Sequence, residues 1–225
     1  PDLLIGVDNF YARSLAQWYY GKLIAGMMNR LELQGRLVQV SKNELASGHV
    51  SGVDGLIVMG AGLEIEDDLT RIARSGTPVA MINRMPQSPF LGYASVDYRR
   101  EAMRGTLAML DQGHKKIAYI GHGCGNADTD LRFAGYRDAL CMRDLPSDPR
   151  LWVKGLDDPR PVMADIQKLL DEQQPTALFV HNAKQLFPVC QVLNRRGLHA
   201  PDDILVLCFD IVEELTYHFD QRIAE

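Results

Sequence analysis

Cysteine is scarce in this chain, and the few present follow no pairing pattern. Cys124, Cys141, Cys190 and Cys208 show neither CxxC spacing nor a histidine partner, which argues against zinc ligation and against a disulfide framework. Cys190 and Cys208 stand in apolar runs and read as small core residues. A reducing, cytoplasmic setting is expected. No run of about eighteen apolar residues occurs, so no membrane-spanning helix is expected. Pro1-Asp2-Leu3-Leu4 carries no basic region and opens no long apolar segment, so it is not read as a signal peptide. Positive charge is not in excess either. Twenty-four Lys and Arg against 29 Asp and Glu leave a net charge of −5, whereas gripping phosphates needs a basic face. These residues alone are not expected to bind nucleic acid.

Catalytic vocabulary is also thin. There is no GxSxG, and the six histidines are scattered, with only His122 and His181 at strand ends. Gly121-His122-Gly123-Cys124-Gly125-Asn126 follows a strand, but its spacing is GxGxG. A dinucleotide loop needs GxGxxG opening a helix directly, and an acid at the end of the next strand, which is missing here. The segment reads as a surface loop. No catalytic residue, metal ligand or cofactor is assigned.

What is present is α/β periodicity. The chain is 46% apolar and 24% charged, an ordinary globular balance, and its length suits one domain or two. Leu3–Val7 reads as a buried strand. Tyr19, Tyr20, Leu23, Ile24, Met27, Met28 and Leu31 step by three and four as one helix face, with Gly35 as its stop. Leu37–Val40, Gly55–Met59 and Val79–Ile82 read as strands, and Ile65, Leu69, Ile72 and Ala73 as a second helix. The first half is thus predicted as β-α-β-β-α-β. The pattern then restarts. Arg99–Leu110 is predicted helical, Lys116–Ile120 a strand, and Arg132–Cys141 a helix. Asp158-Pro159 reads as an N-cap with proline at the first helical position, opening a helix that buries Val162, Ile166, Leu169 and Leu170. Ala177–Val180 is a strand, Lys184–Asn194 a helix closed by Gly197, and Ile204–Cys208 a strand. Pro188 is expected to kink or shorten the first turn of the helix that contains it. Strands this apolar belong to parallel sheets covered on both faces. Two such units imply two similar lobes joined near Ser95–Tyr98, and a cleft between lobes is a natural small-molecule site.

Three residues stand out chemically. Arg132 is placed at a helix start, where a cation opposes the macrodipole. It is either a solvated charge or a fork donor to vicinal hydroxyls. Asn182 and Asp210 each end a buried strand, where they either cap the next helix or converge on a ligand. Trp18, Tyr19 and Tyr20 start the first helix; two are expected to pack in the core or on the other lobe, and one to stack on the apolar face of a sugar.

The wording of the second half adds to this. Pro78-Val79-Ala80-Met81-Ile82-Asn83-Arg84, Val96-Asp97-Tyr98, Gln112-Gly113-His114-Lys115-Lys116-Ile117-Ala118, Arg132-x-x-Gly135-Tyr136, Asn182 at a strand end, Arg196-Gly197-Leu198 and Pro201-x-Asp203-Ile204 follow one another in a fixed order. In that order they resemble the effector-binding core of the LacI/GalR family of bacterial transcription regulators. The resemblance implies a periplasmic-binding-protein-like (type I) fold of two Rossmann-like lobes with parallel sheets. The lobes are expected at 1–97 and 98–214, with 215–225 rejoining the first. It also implies a small effector, a sugar by analogy, held between the lobes. The ligand positions fall on Asn83, Asp128, Arg132, Asn182 and Asp210, with Trp18 as the aromatic.

Further expectations come from the family. The core is a homodimer, or a tetramer built from it, with the helix carrying Leu186, Val189, Val192 and Leu193 at the subunit contact. Operator DNA is bound only through a separate N-terminal helix-turn-helix domain, which these residues lack. The chain departs from the pattern at Asn182-Ala183, where the family has Asn-Asp, at Asp210-Ile211, where it has Asp-Asp, and at Asn83, which replaces an acid. The competing class is a secreted sugar-binding protein of a transport system, which shares the fold. The absence of a signal peptide, the unpaired cysteines and Gln112-Gly113-His114 favour the regulator.

Overall fold

The computed structural model describes residues 3–8, 16–30, 35–40, 42–59, 65–123, 127–156 and 158–210. The chain divides into two units, Pro1–Val96 and Asp97–Glu225.

The first unit runs β1 (Leu3–Asp8), α1 (Ala16–Arg30), β2 (Gly35–Val40), α2 (Lys42–Ala46), β3 (Gly55–Met59), α3 (Glu66–Arg74), β4 (Val79–Ile82) and β5 (Gly92–Ala94). Its five strands are all parallel, in the order β2-β1-β3-β4-β5. The strand alternation sorts the core into two layers. Leu56, Val58, Val79 and Met81 pack with Leu45 of α2 and Leu69 and Ile72 of α3. Met59 packs with Ile57, Ile82 and, from α1, Ile24 and Met27. Glu66, on the first turn of α3, is buried and accepts from the backbone N–H groups of Gln87 (2.7 Å) and Ser88 (2.8 Å). One carboxylate thereby fixes the middle of the loop between β4 and β5.

Two readings of this half need correction. The pattern β-α-β-β-α-β lacks α2 and β5. The five-residue α2 is too short to show a helical period, and β5 is exposed at all three positions and so has no apolar signature. Gly35 does not stop α1 but opens β2.

The second unit runs α4 (Tyr98–Asp111), β6 (Ile117–His122), α5 (Ala127–Met142), a 3-10 turn at Pro149–Leu151, β7 (Trp152–Lys154), α6 (Pro159–Gln173), β8 (Ala177–Val180), α7 (Ala183–Arg196) and β9 (Leu205–Cys208). Its parallel sheet has the order β7-β6-β8-β9. β8 and β9 are buried at every position, as expected of strands covered on both faces. Ala118, Ile120, Leu178, Val180, Val206 and Cys208 face α6 and α7. Ile117, Tyr119, Phe179 and Leu207 face α4 and α5, where Tyr119 stacks on Phe179 with ring centroids 5.2 Å apart. Asp158 caps α6 by accepting from the Arg160 N–H, with Pro159 at the first helical position, and Gly197 closes α7 in the left-handed region. β7 was not foreseen; three residues with one buried carry too little pattern.

α7 corrects one expectation. Pro188 lies buried in its interior, and the helix is not shortened there. Leu186, Val189, Val192 and Leu193 are each 0% exposed within the chain's own core, so they cannot form a subunit contact. An apolar stripe at helical spacing has here the simpler meaning of packing on its own sheet.

α4 and α5 cross at Gly135. A Cβ there would lie 2.1 Å from the Arg99 carbonyl oxygen and 2.9 Å from the Met103 nitrogen, both backbone atoms that cannot step aside. Arg99 on α4 and Asp138 on α5 join across the same crossing at 2.6 Å. Gly135→Ala is therefore expected to destabilise the protein by about 1–3 kcal/mol through overpacking. Urea unfolding checks it: the midpoint falls while the slope is unchanged, and an unaltered midpoint would mean the helices separate freely.

Candidate functional site

The ladder of the second sheet aligns the carboxyl ends of three strands. Ile120 pairs with Val180, and Val180 with Cys208. The pairing continues one residue further, His181 N–H to Ile120 O (2.9 Å) and Phe209 N–H to Val180 O (3.0 Å). Gly121, His181-Asn182 and Phe209-Asp210 therefore lie in one row at the sheet edge, where α/β proteins hold ligands.

Arg132 reaches this row from α5. The helix begins at Ala127, so Arg132 is its sixth residue and does not open it, contrary to the reading of the sequence. The argument from an opposed dipole falls away with that. Nor is the side chain solvated. The residue is 6% exposed, and one terminal nitrogen, Nη1, donates both to the His181 carbonyl (2.6 Å) and to Asp210 Oδ2 (2.9 Å). Its guanidinium carbon lies 4.1 Å from the Phe209 ring centroid and 4.7 Å from that of Tyr98. Contacts of this type contribute about 0.5–2 kcal/mol, most when desolvated. Nε is buried with no partner. Such an orphaned buried donor costs about 1–3 kcal/mol. Removing this side chain would disturb folding as well as the site, because it is packed rather than projecting freely.

Asp210 and Asn182 divide their roles. Asp210 is the ion-pair partner, with its side chain 34% exposed and so open to a further donor. Asn182 is the N-cap of α7: its Oδ1 accepts from the Gln185 N–H at 3.0 Å. The capping role is realised, and Nδ2 is left to donate. Asn83 ends β4 in the first unit, at a φ of 63° that asparagine tolerates better than most residues, with its N–H bonded to Ala94 O at 2.8 Å. Asp128 lies in the first turn of α5 and Trp18 in α1, and the side chains of both lie outside the described residues. Residues 215–225 and Cys124 lie outside them too.

Sequence reasoning missed the support of this row. Phe209 and Gln185 have no motif of their own, and Tyr98 and Gly121 were quoted only within longer segments without a site role. Gly121 sits at φ 110°, and a Cβ there would come within 2.8 Å of His181 Cβ and 3.1 Å of Gln185 Cγ. Gln185 is 2% exposed; its Nε2 donates to Leu156 O while its Oε1 is buried without a partner. Lys154 ends β7 on the same edge.

Burial keeps His181 neutral. Loss of solvent first, and the neighbouring Arg132 charge second, lower its pKa from 6.5 to about 3. The same burial pushes the Cys190 thiol up to about 12 and raises Cys208, so neither is a ready nucleophile. Among the described residues there is no group of three or more His, Cys, Asp or Glu that could hold a metal ion. No described helix is long and apolar enough to cross a membrane. A cavity of about 580 Å³ opens elsewhere, on α4, α5 and the following turn, lined by Arg99, Arg137, Asp138, Cys141, Leu145 and Ser147 among others. It includes none of the strand-end residues.

The profile of the periplasmic binding protein-like domain matches residues 106–222, just over half of the chain. The chain belongs to this family. Its curated relatives place it among the LacI/GalR cores. It is 28% identical over 163 residues to catabolite control protein A of Priestia megaterium, covering 70% of this chain and 48% of that protein. It is 27% identical over 165 residues to the HTH-type transcriptional repressor CytR of Escherichia coli K12, covering 72% and 47%. The chain thus spans about half the length of the curated relatives it matches. Among solved structures, a LacI family transcriptional regulator from Enterococcus faecium with bound ribose superposes with a TM-score of 0.79 at 20% identity, over 99% of this chain and 84% of that one. The CelR–cellobiose complex gives 0.73 at 21%, over 92% and 68%. These two likenesses carry the α/β fold with parallel sheets.

His181 yields a pH prediction. Between about pH 6.5 and 3 only the unfolded chain takes up its proton. Its contribution to stability is therefore complete above about 6.5 and is lost as the pH falls, by at most about 1.4 kcal/mol per pH unit. Urea unfolding at pH 7.5 and 5.0 is expected to show a larger loss for the wild-type protein than for His181→Gln. Equal losses would mean the imidazole titrates normally in the folded state.

Proposed function

We propose that this chain is the effector-sensing part of a LacI/GalR-type transcription regulator and that its ligand is a small neutral carbohydrate. The observation that carries the reading is the strand-end row itself. A sugar hydroxyl both donates and accepts, and the row supplies a fixed guanidinium with an unpaired Nε, the half-exposed carboxylate of Asp210 and the amide Nδ2 of Asn182. Asn83, Asp128 and Trp18 complete the proposed contact set. Two structural neighbours were solved with ribose and with cellobiose, which supports the ligand class.

The curated relatives are named as regulators, which favours this role over a transport component and over catalysis. Coupling to operator DNA would then run through a helix-turn-helix segment outside these 225 residues, in the cytoplasm. A homodimer remains part of the proposal, with the contact surface elsewhere than the buried face of α7.

Calorimetric titration with a panel of mono- and disaccharides tests the ligand. At least one sugar is expected to bind, and Arg132→Lys, which keeps the charge but loses the planar fork, is expected to bind it at least about tenfold more weakly, equivalent to about 1.4 kcal/mol. Equal binding by both proteins would remove Arg132 from the site. A gel shift of the 225-residue chain on duplex DNA at low salt is expected to be blank, since its net charge is −5. A sequence-specific shift would mean that these residues hold a DNA-reading element.

A further inference from the structure

The ion pair alone does not explain how Arg132 is held. Both protein hydrogen bonds go through Nη1, which ties one corner of a planar group. A guanidinium tied at one corner can still swing about it. What blocks the swing is aromatic: the Phe209 and Tyr98 rings lie against it, with their own centroids 5.8 Å apart and planes inclined by 46°. Phe209 follows β9 directly and precedes Asp210. Tyr98 comes from a different element and from a specific place in the chain. It is the first residue of α4, two residues beyond Val96, where the first unit ends.

Tyr98 is itself fixed. It is 5% exposed. Asp97 caps the helix around it, its Oδ1 accepting from the Arg100 N–H (3.0 Å) and its carbonyl from the Glu101 N–H (2.9 Å). α4 is also locked to α5, the helix that carries Arg132, at the Gly135 crossing and the Arg99–Asp138 pair. The start of α4 therefore cannot shift far without disturbing the guanidinium, and the guanidinium cannot reorient without displacing the ring at the start of α4. Where the family resemblance has Asn after Val-Asp, this chain has the ring.

We propose that Tyr98 is a positioning residue. It holds the Arg132 guanidinium in the orientation that the effector meets. The proposal rests on the reading of Arg132 as an effector contact, and it also has a consequence independent of any ligand.

That consequence is read by NMR from the Nε–Hε signal of Arg132, assigned by its disappearance in Arg132→Lys. The signal is expected to be displaced by ring currents and to exchange slowly at neutral pH. In Tyr98→Leu it moves toward the position of free arginine and exchanges at least tenfold faster, while Tyr98→Phe keeps it. Phe209→Leu tests the same clamp from the opposite ring should Tyr98→Leu fold poorly, and thermal unfolding of each variant monitors this.

The second arm is calorimetry with D-ribose and cellobiose. Tyr98→Leu is expected to weaken binding at least tenfold and Tyr98→Phe less than twofold. In an Arg132→Lys background Tyr98→Leu is expected to add less than twofold, because its effect runs through the arginine. An undisplaced signal in the wild-type protein, a signal unmoved by Tyr98→Leu, or full additivity in the double variant overturns the proposal. If neither these two nor any other sugar of the panel binds the wild-type protein, the carbohydrate reading fails, and the Nε–Hε signal still decides whether Tyr98 positions Arg132.

Discussion

A guanidinium removed from water must be compensated on several sides at once, and the strand-end row is organised around that requirement. Arg132 is 6% exposed, and an isolated buried cation would be unfavourable by several kcal/mol. The compensation comes from two strand ends: the His181 carbonyl after β8, and the Phe209 ring and Asp210 carboxylate after β9. None of these would be in place without the parallel register of β6, β8 and β9, which aligns Ile120, Val180 and Cys208. The register in turn depends on a core covered on both faces, with the Tyr119, Phe133, Tyr136 and Phe179 rings on one side and the apolar stripes of α6 and α7 on the other.

The motif Arg132-x-x-Gly135-Tyr136 acquires a physical meaning from this arrangement. Its three residues face three different constraints on one helix. Arg132 reaches the strand ends, Gly135 admits the backbone of α4, and Tyr136 donates from its hydroxyl to the Ile117 carbonyl at 2.9 Å inside the core. The helix is therefore fixed in rotation and in depth before any ligand arrives. Preorganisation of this kind lowers the ordering cost that a binding event would otherwise carry.

Most elements were legible because their signals are local and redundant. β1, β3, β4, β8 and β9 are short apolar runs between turn residues, and α6 announces itself through Asp158-Pro159 and its buried face. The elements missed, α2, β5 and β7, are five residues or fewer and mostly exposed, so their existence depends on neighbours rather than on their own pattern. The reading of α7 erred in the opposite direction. Its apolar stripe was real, but a sequence cannot say whether such a stripe meets its own sheet or another subunit, and here all four residues are buried within the chain.

The sequence by itself determined the α/β class, the punctuation of the second half, the family, and the residue types at three strand or helix positions, because each of these is carried by near neighbours along the chain. It left open whether Arg132 was solvated or engaged, and whether Asn182 capped or converged. Tertiary structure decided both. Arg132 meets partners 49 and 78 residues away, and the rings of Tyr98 and Phe209, which no spacing rule connects. Burial and a hydrogen-bond partner belong to the folded arrangement, and only there do a helix side chain, two strand ends and a helix start become one site.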